Sequence, residues 1–458
     1  MPRILLLPSG NTFSHLIECH SIGSKLHQYG HDIHYGISRH YVSWAKKNRL
    51  THTVIPELWE KGPTDHPNVS WFIDRDYVHH CVLEEIRLIK RIKPDIIIAN
   101  FKYTTGISAR VTGARLVTMN ILSMLPQYES NFGYLEEDHS NDAKRQRQHL
   151  NFFKEFCQTT LNDAAARVGQ PPLAGMAEYL EGERCIVPDS AWFHRVKPTS
   201  IAPHHLQVDP LQCKRTPPEL QASHAWKITG GLTTALQRSA GSPEEYIKAA
   251  PNLGKKRILL SLGSICRSHN TLWSLVSTLS KGPWQLLVSI SSNNPQLLSR
   301  MQRNFPGVSF SSFFDMAQLA SQKVHLHVCH GGLGSLFTSI LHRIPVLVIP
   351  QQPEQDHNGM LAEHHGIGSR LWPSRPFRGQ ENHYITKLLD TPEKTILDAV
   401  HRLLEEPAIT SHLDQAREAL TREATQLPDP GQQMINLLKT ITPPTDSKTI
   451  RLSEEAVL

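Results

Sequence analysis

The stretch that most constrains this chain is 324–371, VHLHVCHGGLGSLFTSILHRIPVLVIPQQPEQDHNGMLAEHHGIGSRL. Residues 324–329 read as a short apolar strand, and His330-Gly331-Gly332-Leu333-Gly334-Ser335 as a tight turn. Residues 336–342 carry apolar side chains at helical spacing. The run 344–350, IPVLVIP, is apolar throughout, which marks a parallel strand buried on both faces. A polar loop, 351–358, follows it, and a second helix is expected from near Asp356 to Gly366.

A glycine turn between a strand and a helix leaves the first helical N–H groups free and lets a ligand come close to the backbone. With the positive end of the helix dipole they form an anion site, most often for phosphate. His330 at its mouth adds a donor, and the loop after the next strand falls at the same end of the sheet.

HGG-x-G-S, then an apolar strand ending in Pro, then E-Q-x-x-N, resembles the donor-site signature of nucleotide-sugar-dependent glycosyltransferases of the GT-B fold. The resemblance is to the group that includes bacterial macrolide and antibiotic glycosyltransferases, sterol glucosyltransferases and the UDP-glycosyltransferases. It implies that His330, Gly331, Gly332, Gly334 and Ser335 hold a diphosphate. It further implies that Glu354 and Gln355 bind the donor sugar hydroxyls and that Asn358 is the family asparagine. Two positions depart from the pattern: Thr338 stands where the family has a ribose-binding Glu, and Gly359 where it has Ala.

The N-terminus repeats the theme. Residues 2–8, PRILLLP, read as a buried strand, 9–15 as a loop, and 16–29 as a helix ended by Gly30, with a strand at 32–37. This opening resembles the first unit of the same family, which implies that His15 is the general base and that Gly10 and Asn11 line the donor site. Taken alone, the residues leave open a second role for His15, as a helix cap. The family glycine beside the histidine is Ser14 here, and the family proline is missing near Glu18. Residues 93–100, KPDIIIAN, resemble K-P-D-x-x-x-x-D, so that Asn100 takes the place of an Asp that orients the base. Val208-Asp209-Pro210 resembles the V-G-P that closes the first domain. Gly263-Ser264 after a strand at 257–262 resembles S-x-G-S, whose N–H groups face the phosphates from the other side.

At 458 residues the chain needs two or three domains. No run approaches the ~20 apolar residues that span a bilayer, and the apolar run 4–7 is too short for a signal peptide, which points to a cytoplasmic address. Seven scattered cysteines without C-x-x-C read as free thiols. A net charge of +6 without a basic block excludes a nucleic-acid partner; it suits an anionic ligand or a peripheral membrane contact. The pairs His79-His80, His204-His205 and His364-His365 lack metal-ligand spacing, so no metal is expected, and no cofactor beyond a UDP- or TDP-linked co-substrate.

The expected architecture is α/β: two Rossmann-like, doubly wound parallel-sheet domains facing a cleft. An acceptor-binding domain spans 1–235, a linker 236–255, a donor-binding domain 256–425, a closing helix 426–442 and a disordered tail 443–458. Residues 51–80 read as loops, and 125–182 as the helical, polar acceptor side. The implied activity is inverting, metal-independent transfer of a sugar from a nucleoside-diphosphate sugar to a hydroxyl of a small or lipid-like acceptor. Two other readings fit the same residues: another GT-B-type enzyme such as a nucleotide-sugar epimerase, and a non-catalytic homologue that binds a nucleotide sugar or a protein partner.

Overall fold

The computed structural model describes residues 2–60, 74–131, 155–214, 255–263, 269–290, 295–311, 324–372 and 387–440. The sequence expectations for the linker 236–255 (except its last residue), for the tail 443–458 and for much of 125–182 lie outside these residues.

Seven strands make a first sheet: β1 Arg3–Pro8, β2 Asp32–Ile37, β3 His52–Val54, β4 Ile96–Asn100, β5 Leu116–Met119, β6 Arg184–Val187 and β7 His205–Gln207. Six make a second: β8 Arg257–Ser261, β9 Gln285–Ser289, β10 Ser309–Ser311, β11 Leu326–Cys329, β12 Val346–Val348 and β13 Gly368–Arg370. Their orders are β3-β2-β1-β4-β5-β6-β7 and β10-β9-β8-β11-β12-β13, and every pairing is parallel. Both are doubly wound. Each has a switch point, between β1 and β4 and between β8 and β11, where the strand order reverses and a crevice opens at the carboxyl ends.

The helices that matter below are α1 Phe13–Gln28, α2 Arg75–Ile92, α3 Tyr103–Thr112, α4 Ala191–His194, α5 Leu333–Leu341, α6 Pro353–His364, α7 Ile409–Gln426 and α8 Pro430–Thr440. Strand β1 shows why its residues are apolar without alternation. Ile4 and Leu6 enter one core with Leu16, Cys19, Ile22 and Leu26 of α1, while Leu5 and Leu7 enter another with Leu88 and Ile89 of α2. Both faces are covered over 4–7, so these four positions carry no polar side chain. Gly30, at φ +87°, ends α1 as read from sequence.

Helix α2 starts within the stretch expected to be loops. Asp74 caps it by accepting the Tyr77 N–H at 2.9 Å, and the polar first turns, with His79 and His80, hid the apolar face carried by Val78, Cys81 and Val82. Helix α4 was not expected at all. Phe193 on it is fully buried in the core of the second sheet, edge-on to Phe337 of α5 at 5.4 Å. Helix α8 runs the other way: Met434 and Ile435 lie in the α1 core of the first sheet, and Lys25 pairs with Asp429 at 2.8 Å.

Candidate active site

At the second switch point Cys329 pairs with Ser261, and His330 follows directly. Its half-buried ring lies between two glycines. A Cβ at Gly263 would stand 2.6 Å from its Cε1, and one at Gly332 2.5 Å from its Nε2. Gly263 and Gly331 also have φ of +72° and +92°, a region glycine enters without strain. Helix α5 begins at Leu333, so Gly334 and Ser335 belong to its first turn rather than to the preceding loop. Gly332 is the N-cap and supplies no side chain, which leaves first-turn N–H groups for a ligand. Burial lowers the His330 pKa to about 4, with a hydrogen bond to the Ser261 backbone opposing. At neutral pH the ring is therefore an uncharged donor. Ser264 lies outside the described residues. Thr338, at the place of the ribose carboxylate, gives its hydroxyl to the Gly334 carbonyl at 2.7 Å.

The loop after β12 reaches the same edge. Helix α6 starts at Pro353, three residues before the sequence reading, because Pro fits the first helical position. Asn358 is buried, and its amide donates to the Gly331 carbonyl at 2.9 Å and to Glu354. It thus ties the glycine turn to the acidic loop. Burial raises the Glu354 pKa, and the Asn358 and Gln352 donors oppose this. Gln355 is 1% exposed and accepts the Gln351 N–H at 2.9 Å, so it shapes the loop from within. At Gly359 a Cβ would meet Arg370 Cγ at 2.5 Å; the departure from alanine makes room for an arginine held by Asp356 and Glu363.

At the first switch point Pro8 pairs with Asn100, and the Asn100 carbonyl accepts the Ser9 N–H at 2.9 Å. His15 lies in the first turn of α1, and its ring stacks on Phe101 with centroids 5.3 Å apart. Phe101 holds φ +51°, a strained conformation for an aromatic residue. Asn100 does not hold the His15 ring. Its amide donates to the His15 backbone carbonyl at 3.4 Å and to the Glu18 carboxylate at 2.8 Å. The expected role of Asn100 was to orient the imidazole; its amide goes instead to the turn beneath the ring and to Glu18, a buried neighbour the sequence reading did not single out.

Gly10 and Asn11 lie in the β1–α1 loop. Gly10 is locked in place: its carbonyl accepts from Tyr41 at 3.1 Å, and a Cβ would stand 2.8 Å from Glu57 Cγ. Beneath it lies a buried ionic group. Lys102 pairs with Glu57 and, at 3.3 Å, with Glu85, and Glu85 also accepts from Thr104, Thr105 and Ser108. Burial acts against the Lys102 charge, yet the two carboxylates raise its pKa above the ordinary lysine range. Burial pushes Glu57 up to about 7, with Lys102 opposing.

The two domains meet through α4. His194 of the first stacks on His357 of the second, 5.8 Å apart and 5° from parallel, and its Nε2 donates to Asp189 Oδ1 at 3.1 Å. Both His194 and Asp189 act electrostatically on Glu354, with opposite sign. Glu423 of α7 accepts from Ser190, from the Trp192 N–H at 3.1 Å and from Gln207 at 3.3 Å. Away from this seam, His204 and His205 share one oxygen of Glu181 at 3.0 and 2.9 Å, so that histidine pair is occupied by a carboxylate the spacing did not reveal.

No family model matches the chain. Over 122 residues it is 23% identical to the NDP-glycosyltransferase YjiC of Bacillus licheniformis, a match covering 26% of this chain and 30% of that protein, under a third of the relative's length. The likeness to solved structures is far longer. Spinosyn forosaminyltransferase SpnP superposes with a TM-score of 0.59 at 18% identity, over 96% of this chain and 98% of that one. The glycosyltransferase of kitacinnamycin gives 0.64 at 14%, over 96% and 98%. The fold is GT-B. Spinosyn rhamnosyltransferase SpnG, at 0.59, 15% identity and 96% and 100% coverage, shares this GT-B architecture and has been solved with spinosyn aglycone and with thymidine diphosphate. No helix among the described residues of this GT-B chain is long and apolar enough to cross a membrane.

Proposed function

We propose that the protein transfers a sugar from a nucleoside-diphosphate sugar to a hydroxyl of a small or lipid-like acceptor, with inversion and without a metal ion. The observation that carries this reading is the pair of switch points. On the second sheet, His330 sits in a glycine cradle at a bare helix N-terminus, tied through Asn358 to Glu354. On the first, His15 sits at the start of α1. The thymidine diphosphate complex of SpnG favours a TDP-linked donor over a UDP-linked one.

In the proposed reaction the acceptor oxygen attacks the anomeric carbon as His15 takes its proton. The bond from that carbon to the diphosphate oxygen breaks, and the electron pair leaves with the nucleoside diphosphate. General-base assistance of this kind contributes roughly 10²–10⁴ in rate. First-turn N–H groups of α5, the helix dipole and the neutral His330 donor stabilise the departing charge. Glu354, beside the diphosphate site, reads the sugar.

The test is a thermal-shift panel with TDP, UDP and GDP and their glucose conjugates, with His330→Ala as control. A ligand at a hundred times its Kd stabilises by ~2.7 kcal/mol. One nucleotide should raise the melting temperature of wild type and not of the variant. No shift from any of them in folded protein overturns the donor site. Binding without turnover, under any acceptor or as hydrolysis, would favour the non-catalytic reading, which Asn100 and Thr338 in place of carboxylates also favour.

A further inference from the structure

One cluster of metal-ligating side chains stands apart from both switch points. His204 and His205 direct their Nε2 atoms at the same Glu181 oxygen, at 3.0 and 2.9 Å. Ligand atoms of the three residues all lie within 4.8 Å of one another. The backbone fixes them there. Glu181 follows a short helical turn, Ala177–Leu180, and precedes β6, while His205 opens β7. Strand pairing sets His205 against Cys185, and the Cys185 N–H donates to the His204 carbonyl at 3.0 Å. The three donors therefore sit at the amino ends of β6 and β7, on the opposite edge of the sheet from the crevice at the carboxyl ends.

The cluster is open to a cation rather than closed on itself. The second Glu181 oxygen, Oε1, is buried and meets no hydrogen-bond donor among the described residues, which is costly for a carboxylate. No lysine or arginine among them pairs with Glu181, and Arg115, next to the neighbouring strand, is taken by Glu183 at 2.6 Å. His205 Nδ1 also has no partner. No donor to that atom holds the ring proton on Nε2, so Nε2 can give a lone pair instead. Zinc binds histidine nitrogen at about 2.0–2.1 Å and carboxylate oxygen at about 2.0–2.2 Å. Tetrahedral ligands at those lengths stand roughly 3.3 Å apart, close to the two contacts observed. The His204 side chain is 44% exposed against 2% for His205, so the cluster opens to water on one side.

We propose that Glu181, His204 and His205 bind a zinc ion, with water in the fourth position. As metal ligands the imidazoles are neutral, so the set brings one negative charge to a divalent cation. The chain between the ligands, 182–203, carries Ser190, Phe193 and His194, which meet the second domain. The ion pins both ends of that segment at one point and so steadies the seam. It takes no part in the sugar transfer proposed above, which runs at the other edge of the sheet. Spacing along the sequence hid the set, because the carboxylate is 23 and 24 residues from the two histidines.

The test uses the full chain, stripped with a chelator and titrated with cobalt(II), whose absorption bands report the geometry of a zinc site. Wild type should take up one equivalent with the intense bands of a four-coordinate ion, and one equivalent of zinc should abolish them. His204→Ala, at a half-exposed position, and Glu181→Gln should each lose more than about tenfold in affinity, the loss that changes outside the ligand shell already produce. Zinc should raise the melting temperature of wild type and leave that of His204→Ala unmoved. His80→Ala, which removes an exposed histidine of another pair, should bind like wild type. Folded wild type that gives no four-coordinate bands overturns the proposal. So does a His204→Ala variant that binds cobalt as wild type does, which would mean an adventitious ion at another of the 27 histidines. Should Glu181→Gln not fold, His204→Ala is read alone. His330→Ala should keep the cobalt bands while losing the nucleotide shift, so this site and the donor site stand or fall separately.

Discussion

The His330 ring lies so close to Gly263 that a Cβ there would stand 2.6 Å from its Cε1, although the two residues follow neighbouring strands of different βα units. Gly263→Ala should therefore displace the ring and strain the backbone at φ +72°. We expect it to abolish the nucleotide-induced thermal shift. Gly334→Ala is the contrast. No atom lies within 4 Å of a Cβ at that position, it is inside a helix, and the change should leave binding intact and stabilise by up to about 1 kcal/mol. Equal loss of nucleotide binding in both variants would show that flexibility of the run, rather than the ring's fit, matters.

His15→Ala should remove sugar transfer and leave the TDP thermal shift nearly as in wild type, because His15 and the His330 turn are on different sheets. Transfer at a near wild-type rate would remove His15 from the reaction. Isothermal titration with TDP and a turnover assay decide between the two.

Glu354→Gln keeps the shape of a half-buried side chain and removes its charge. It should weaken TDP-glucose by about tenfold and bare TDP hardly at all, since a hydrogen bond to a charged group is worth about 1.5–3 kcal/mol. Parallel titrations with the two ligands check this; equal losses would place Glu354 away from the sugar.

Glu57 makes a prediction about pH. Its carboxyl is raised by burial to about 7 in the folded protein, above its unfolded value. A raised acid contributes stability below its unfolded pKa and loses it as pH rises through the folded one. Wild type should thus lose urea resistance between about pH 5 and pH 8, whereas Glu57→Gln, which stays neutral, should be flatter across that window. Two parallel curves would mean that Lys102 keeps Glu57 ionised throughout.

Phe193→Ala should loosen the domain seam. The side chain is fully buried against Phe337 and stacks on His365, whose Nε2 bonds the Phe193 carbonyl at 2.8 Å. Truncating a buried Phe costs about 3–5 kcal/mol. Calorimetry should show a lower melting temperature with the transitions of the two domains resolved. A single unshifted transition would mean that Glu423 and α8 suffice to hold the domains.

The strand–turn–helix units were legible because uninterrupted apolar runs at 4–7, 96–99 and 344–349 admit only strands covered on both faces, and Gly10 marks where the first of them turns. His15 and His330 were found because each lies in the turn or first helical turn after a strand read from the sequence, where the resemblance places a histidine. Glu18 was not, since a carboxylate on a helix reads as solvated surface and its partner Asn100 is 82 residues away. Lys102, Glu57 and Glu85 were missed for the same reason: hydropathy has no signal for charges that bury one another. Helix α4 has only four residues, too few for a period to show. The polar side chains of α2's first turns hid its start within the stretch read as loops.

Helix α8 ties the end of the described chain to its beginning. Met434 and Ile435 complete the core against α1, and the Asp209 N–H bonds the Pro428 carbonyl at 3.0 Å. During synthesis the β1–α1 unit leaves the ribosome before the second sheet, yet the helix that covers it emerges only after that sheet is complete. The unit must therefore wait, with an apolar face open, while a whole second sheet is made.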